Sequence, residues 1–139
     1  MSKMVIALKA CIFKEGRLLL VKRVPSDKVG GGTWETVGGK LDFGEKLEEA
    51  LVREAQEETS LLIKPTELLY ATTFFTDPAR QMVMLVYLAT VKEGIVGLSE
   101  EHSEYKWATK EEARSLLPAN IIRDFEQNNI FTLRQWEQS

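Results

Sequence analysis

Residues 39–61 read GKLDFGEKLEEALVREAQEETSL, and this stretch decides both the fold and the chemistry that the sequence predicts. On a helix, Leu47, Ala50 and Leu51 form one apolar stripe, and three glutamates continue the same stripe. These glutamates are Glu54, Glu57 and Glu58. Like charges at this spacing cost roughly a few tenths of a kcal/mol per pair, and the macrodipole disfavours negative charge near a helix C-terminus. The stretch therefore predicts that a cation completes this face.

Length and composition narrow the class of protein. The chain has 139 residues, which suits a single domain over residues 1–139 with a sizeable core. Its net charge of -3 gives no electrostatic reason to expect a nucleic-acid polymer or a membrane as partner. Cys11 is the only cysteine, so no intrachain disulfide is possible and a core role is expected. Without a continuous signal-like or membrane-spanning apolar segment, a soluble cytoplasmic protein is expected.

The apolar patterning predicts an α/β (α+β) fold with mostly antiparallel strands. Strands are expected over residues 4–13, 17–24, 34–37, 62–73, 80–92 and 105–108. The central helix is expected to begin near Gly44, with Asp42 as its N-cap, and to end near Ser60. Two shorter helices are expected after residues 109 and 119. The glycines within residues 29–33 are read as a plain loop, because neither a GKS/T motif nor a helix follows them.

The carboxylate cluster predicts a hard-metal site. Carboxylate oxygens suit Mg²⁺ or Mn²⁺, whereas one histidine and one cysteine disfavour a zinc or redox site. Mg²⁺ held by a few carboxylates keeps coordination positions for water and phosphate oxygens. The alternative is an ordinary solvated acidic face. The apolar first half of the stripe counts against that alternative, because it directs the face into the protein.

The same stretch resembles the signature of the Nudix hydrolase family, G-x5-E-x7-R-E-U-x-E-E-x-G-U, in which U is a bulky aliphatic residue. Seven positions are in register: Gly39, Glu45, Arg53, Glu54, Glu57, Glu58 and Leu61. Two depart, since Ala55 is smaller than the usual aliphatic residue and Ser60 replaces the usual glycine. Serine at the expected left-handed C′ position costs about 1 kcal/mol. Trp34-Glu35 shortly before the box is also typical of the family.

The resemblance implies the Nudix fold, a mixed β-sheet sandwiched between helices, and it implies roles for the box residues. Glu54, Glu57 and Glu58 correspond to the metal-binding glutamates. The carbonyl of Gly39 is implied as a backbone ligand. Arg53 corresponds to the arginine that holds the carboxylates in orientation, with an ordinary surface ion pair as the alternative.

Outside the box, the resemblance implies a further glutamate that serves as metal ligand or base. Glu104 is the preferred candidate, with Glu101 and a box glutamate as alternatives. His102 is either a phosphate contact or a solvated loop residue. Arg23 is implied as a phosphate contact, with a surface charge as the alternative. Trp34 is a candidate for stacking on a base, although such aromatic residues usually belong to the core.

The implied activity is Mg²⁺-dependent hydrolysis of a pyrophosphate bond in a nucleoside diphosphate derivative. The short chain looks most like the MutT-like branch, which cleaves a nucleoside triphosphate to the monophosphate and pyrophosphate. ADP-ribose or another nucleoside-diphosphate-X compound is the alternative substrate, and a non-catalytic nucleotide-sensing module is the alternative function. The implied partner is a small-molecule nucleotide, and homodimer formation stays open.

Overall fold

The computed structural model describes residues 1–28 and 30–138. Val29, in the loop predicted over residues 29–33, lies outside the described residues. The strands are β1 (Lys3–Lys14), β2 (Arg17–Arg23), β3 (Trp34–Glu35), β4 (Val37–Lys40), β5 (Leu62–Asp77), β6 (Arg80–Glu93) and β7 (His102–Ala108). The helices are α1 (Leu47–Thr59), α2 (Lys110–Leu116) and α3 (Ala119–Gln127), followed by short 3₁₀ helices at Ile130–Thr132 and Arg134–Glu137.

The strands form one mixed sheet in the order β3-β2-β1-β6-β5, with β4 beside β1 and β7 beside β2. Strands β1 and β6 run parallel from Lys3 opposite Arg80 to Phe13 opposite Thr90. The remaining pairings are antiparallel. Strand β4 pairs with residues 7–10 of β1, and Leu41 N–H donates to the Ile6 carbonyl at 2.9 Å, so the loop that precedes α1 starts beside the first half of β1.

Two apolar clusters cover opposite faces of this sheet. On one face, Ala50, Leu51 and Ala55 of α1 pack with strand residues such as Leu8. On the other face, the C-terminal helices pack against Cys11 and its neighbours. The predicted mixed α+β architecture, a sheet between helices, is therefore confirmed. Burial of Cys11 confirms its predicted core position and raises the pKa of its thiol to about 12.

The central helix begins later than predicted. Asp42 does not cap it, because Asp42 and Glu45 close a turn of their own: Asp42 N–H donates to the Glu45 carboxylate at 2.9 Å. The N-cap is Lys46, whose N–H donates to Glu49 Oε1 at 3.1 Å. Leu47, expected in the buried stripe, is 39% exposed because it opens the helix.

The other boundaries differ in smaller ways. Strand β7 begins at His102 rather than residue 105, and β5 continues to Asp77. The helix predicted after residue 109 is capped by Thr109 and Glu112 as expected. Within residues 1–28 and 30–138, no helix is long and apolar enough to cross a membrane.

Candidate active site at the C-terminal half of the central helix

The two glycines of β4 allow α1 to pack tightly against the sheet. A Cβ at Gly39 would collide with the carboxylate of Glu54, so a side chain there would require this carboxylate to move. Gly38 has φ +155° and lies against the backbone carbonyl of Leu8, which leaves no room for a side chain there either. The pair of glycines thus brings the strand backbone next to the acidic end of the helix.

Glu58 is the most buried of the box glutamates, at 6% exposure. Its Oε1 accepts a hydrogen bond from Gly38 N–H at 3.2 Å. Burial raises the pKa of Glu58 to about 7, although the nearby charge of Lys9 and the Gly38 hydrogen bond oppose that rise. Within the described residues, no cation lies within ion-pair distance of this carboxylate. A cation bound beside Glu58 would stabilise the ionised form of this carboxylate.

Arg53 organises the acidic residues on the outer side of the helix. It binds Glu45 in a bidentate manner, with Nε to Oε2 at 2.7 Å and Nη2 to Oε1 at 2.8 Å. Its Nη1 donates to Glu54 at 3.0 Å and to Glu57 at 3.2 Å. The hydrogen bonds from Arg53 lower the pKa of Glu45 to about 2, with help from the Asp42 N–H. Arg53 therefore contacts three carboxylates of the box, those of Glu45, Glu54 and Glu57.

Glu54 and Glu57 differ in environment. Burial raises the pKa of Glu54; Arg53 opposes the rise, while the charges of Glu57 and Glu101 add to it. The side chain of Glu57 is 58% exposed and pairs with Arg53 at i,i+4 spacing. Glu49, four residues before Arg53, accepts the hydrogen bond at the helix start instead of pairing with Arg53.

The carboxylate oxygens of Glu54, Glu57 and Glu58 fit a hard divalent cation, but they do not converge on one point. Glu54 and Glu58 face the strand glycines, and their carboxylate oxygens suit Mg²⁺. No three carboxylate, imidazole or thiolate groups in the described part of the chain converge closely enough to hold an ion. Arg53 explains this spread, because it draws two of the carboxylates to its guanidinium.

The structure separates the two loop glutamates. Glu104, the preferred candidate, points to Lys22, with Nζ to Oε2 at 3.3 Å, and is mostly exposed. Burial is the main cause of the raised pKa of Glu54, and the charge of Glu101 adds a smaller contribution to it. The backbone carbonyl of Glu101 accepts from Val24 N–H at 3.1 Å, which ties the loop to the end of β2. Glu104 is therefore paired with Lys22, and Glu101 stays the alternative candidate for the further carboxylate.

His102 is not a solvated loop residue, so that alternative is wrong. Its side chain is 1% exposed, and Nε2 lies 2.9 Å from Glu35 Oε2. Arg23 contacts the same carboxylate, with Nε at 3.2 Å, and also Asp27 at 2.7 Å. Trp34 is partly buried and packs against the C-terminal apolar cluster, which agrees with a core position.

Two residues of this region were missed by sequence reasoning. Lys9 and Glu35 form an ion pair with Nζ to Oε1 at 3.2 Å, and both side chains are largely buried. Lys9 also donates to the backbone carbonyl of Thr36 at 3.1 Å. The signal was present, because Lys9 interrupts an apolar strand, and a buried charge requires a partner.

Comparison with known proteins gives a family and several relatives. The family model described as NUDIX domain matches residues 4–127. A MutT-like protein of Streptomyces ambofaciens is 32% identical over 99 residues, which are 71% of this chain and 59% of that protein. Nucleoside triphosphatase NudI of Escherichia coli O139:H28 is 29% identical over 111 residues, covering 73% of this chain and 79% of that protein. The crystal structure of a MutT protein from Methanosarcina mazei Go1 matches with a TM-score of 0.82 at 28% identity, covering 94% of this chain and 96% of that one.

Proposed function

The chain belongs to the Nudix domain family, and from this premise we propose that it is a divalent-metal-dependent pyrophosphohydrolase that converts a nucleoside triphosphate to the monophosphate and pyrophosphate. The observation that carries the proposal is Glu58. It is a buried carboxylate held at the Gly38 N–H with no protein cation beside it among the described residues. A bound cation would supply the missing charge.

The proposed ligands are Glu54, Glu57, Glu58 and the carbonyl of Gly39. When bound there, Mg²⁺ or Mn²⁺ neutralises phosphate charge and lowers the pKa of a water molecule. The protein itself contributes orientation. Arg53 holds Glu54 and Glu57 on one side, and the helix end presents Glu58 on the other. An acidic chain of net charge -3 would otherwise repel a polyphosphate.

The reaction needs a group that takes a proton from the attacking water. We propose Glu101 rather than Glu104 for this role, because the charge of Glu101 reaches Glu54 whereas Glu104 pairs with Lys22. The water oxygen forms a new bond to phosphorus, the phosphorus bond to the bridging oxygen breaks, and the water proton passes to the carboxylate. Glu101→Gln should reduce kcat by about 10²-fold or more.

Nucleoside triphosphates are the preferred substrate class for two reasons. The relative named nucleoside triphosphatase NudI matches 73% of this chain. The arrangement also offers a cation, Arg23, that two carboxylates hold at the end of β2, where it suits a phosphate contact. Trp34 is proposed as a wall of the base site, since its ring is only partly buried.

The test is a substrate panel with purified protein and Mg²⁺: nucleoside triphosphates, ADP-ribose and dinucleoside polyphosphates, with the products identified. We expect a nucleoside monophosphate and pyrophosphate from a triphosphate. Glu57→Gln and Glu58→Gln should each lower kcat/KM by about 10²-fold or more. The matched control is Glu126→Gln, which alters an exposed carboxylate of α3 near Arg114.

Three outcomes would contradict the proposal. Undiminished activity in Glu57→Gln and Glu58→Gln would rule out the metal site. Preferred cleavage of ADP-ribose would contradict the proposed substrate class, although the proposed metal site would still stand. Tight nucleotide binding without turnover would indicate a sensing module rather than an enzyme.

A further inference from the structure

Glu35 lies at the centre of a buried ionic network beside the box. Its side chain is 12% exposed, and both of its oxygens are engaged. Oε1 accepts from Lys9 Nζ at 3.2 Å. Oε2 receives two donors, Arg23 Nε at 3.2 Å and His102 Nε2 at 2.9 Å. Burial alone would raise the pKa of Glu35, but Lys9, His102 and Arg23 outweigh it and lower that pKa to about 2.

The charges of this network balance without any ligand. Lys9 and Arg23 carry two positive charges, and Glu35 and Asp27 carry two negative charges. A buried network of this kind keeps its geometry only if every member is paired. The orientation of Arg23 is therefore fixed by carboxylates before a substrate arrives, which reduces the entropy lost on binding.

The His102 ring reaches Glu35 from the other side of β2. Arg23 and His102 face each other in the pairing of β2 with β7, next to a register shift between Lys22 and Arg23. Because ionised Glu35 only accepts hydrogen bonds, Nε2 of His102 carries the proton. Nδ1 is buried and has no hydrogen-bond partner within residues 1–28 and 30–138. The contact with Glu35 is thus the polar contact that holds the ring.

The chain next to His102 carries Glu101. Ser99 N–H donates to the carbonyl of Glu58 at 3.1 Å, and the carbonyl of Glu101 accepts from Val24 N–H at 3.1 Å. The loop is thereby attached to the end of α1 and to the end of β2. The side chain of His102 adds a third attachment, to β3, directly beside Glu101.

We propose that Glu35 is a positioning residue for two parts of the active site, which we call its two arms. The first arm is Arg23, which Glu35 contacts directly. The second arm is the loop that carries Glu101, which Glu35 holds through His102. The inference rests on the proposed function, because it assigns Arg23 to the substrate phosphates and Glu101 to the attacking water. Glu35 itself touches neither, since its oxygens are occupied by Lys9, Arg23 and His102.

Double-mutant cycles test the first arm. Arg23→Gln and Glu35→Gln should each raise KM for the triphosphate about tenfold, the loss expected for one charge-assisted hydrogen bond. The double variant should be no worse than Arg23→Gln alone, because Glu35 acts through Arg23. Additive effects in the cycle would overturn this arm. Glu126→Gln serves as the control at an exposed ion pair.

The second arm is tested at His102. His102→Leu should lower kcat about tenfold or more while changing KM less than Arg23→Gln does. His102→Gln, which keeps a donor for Glu35, should recover much of kcat. A purely structural role would lower the melting temperature of both His102 variants without such recovery of kcat, and that result would overturn the second arm.

Two further measurements keep the test decisive. Glu35→Gln leaves Lys9 buried without its charged partner, so this single variant is measured only if it folds. If it does not fold, the double variant Lys9→Met, Glu35→Gln is used in its place. The NMR signal of Arg23 Nε–H is the readout that needs no activity. It should exchange slowly in the wild-type protein and be lost in Glu35→Gln. If the wild type hydrolyses nothing in the panel, the proposed function fails, but an unchanged Arg23 signal would separately overturn the positioning role.

Discussion

Glu35 and Glu58 are both buried glutamates, and their pKa values shift in opposite directions because of their neighbours. Glu35 has Lys9, His102 and Arg23 around it, so the cost of burial is outweighed and the pKa falls to about 2. Among the described residues, the Gly38 N–H is the hydrogen-bond partner of Glu58, and burial outweighs the charge of Lys9, so the pKa rises to about 7. The first arrangement is complete within the protein, whereas the proposed function assigns a bound cation to the second.

The low pKa of Glu35 predicts an acid-dependent contribution to stability. Its folded-state pKa of about 2 lies below the ordinary value of 4.5, so the folded protein binds fewer protons in that interval. The contribution is fully present above pH 4.5 and is lost as the pH falls towards 2. The shift corresponds to about 3 kcal/mol. Urea unfolding of the wild type and Glu35→Gln between pH 6 and 2 measures the contribution of ionised Glu35 to the free energy of unfolding.

The expected result is a difference in unfolding free energy between the two proteins that shrinks by about that amount as the pH falls. Glu126→Gln, at an exposed pair, should show no such trend. A difference that stays constant from pH 6 to 2 would contradict the ionic account of the network.

Gly39 offers a second prediction for a single residue. A methyl group at Gly39 would occupy the space of the Glu54 carboxylate, so Gly39→Ala must move a proposed metal ligand. We expect the affinity for Mn²⁺, measured by calorimetry, to fall about tenfold or more. Gly97→Ala is the control, because its Cβ would meet only the Ser60 side chain. Equal affinity in Gly39→Ala and the wild type would place the ion elsewhere.

The C-terminal end of α1 was predicted correctly from one residue. Ser60 replaces the glycine of the signature, and the structure places it in the left-handed conformation at φ 65°. Its N–H still donates to the Gln56 carbonyl at 2.9 Å. The N-terminal end was predicted less well, because two successive pairs of residues have the spacing of a capping box. These pairs are Asp42 with Glu45 and Lys46 with Glu49. The later one, Lys46 with Glu49, forms the cap.

Ser60→Gly should therefore stabilise the protein. Glycine adopts the left-handed conformation without the Cβ penalty of about 1 kcal/mol. The hydrogen bond from Ser60 Oγ to the Gly97 carbonyl at 3.0 Å is lost, but it is exposed and contributes little. Ser60→Ala is the matched control, since it loses the hydrogen bond and keeps Cβ. Thermal unfolding in which Ser60→Gly is no more stable than Ser60→Ala would contradict this account.

At the scale of the whole molecule, sequence distance decides what could be predicted. The box residues act within one helix and the adjacent strand, so their spacing reveals the helix face and the candidate ligands. The network around Glu35 joins residues that are 26 and 67 positions apart, and spacing carries no signal over such separations. For the same reason, the pairing of Glu104 with Lys22 could not be predicted until β7 was placed beside β2.

Glu58 is a buried carboxylate with no protein cation at ion-pair distance among the described residues, which predicts that divalent cations stabilise the native state. A cation that binds the folded chain and not the unfolded one adds about 2.7 kcal/mol at a concentration of 100 times its Kd. For a domain of this size, that amounts to a rise in Tm of roughly 10 °C. Scanning calorimetry with Mg²⁺ or Mn²⁺, against NaCl of equal ionic strength, measures the rise. Glu58→Gln removes the carboxylate that lacks a protein cation, so its Tm should not respond to the metal. An equal rise in the wild type and Glu58→Gln would show that the ion binds away from Gly38 and the end of α1.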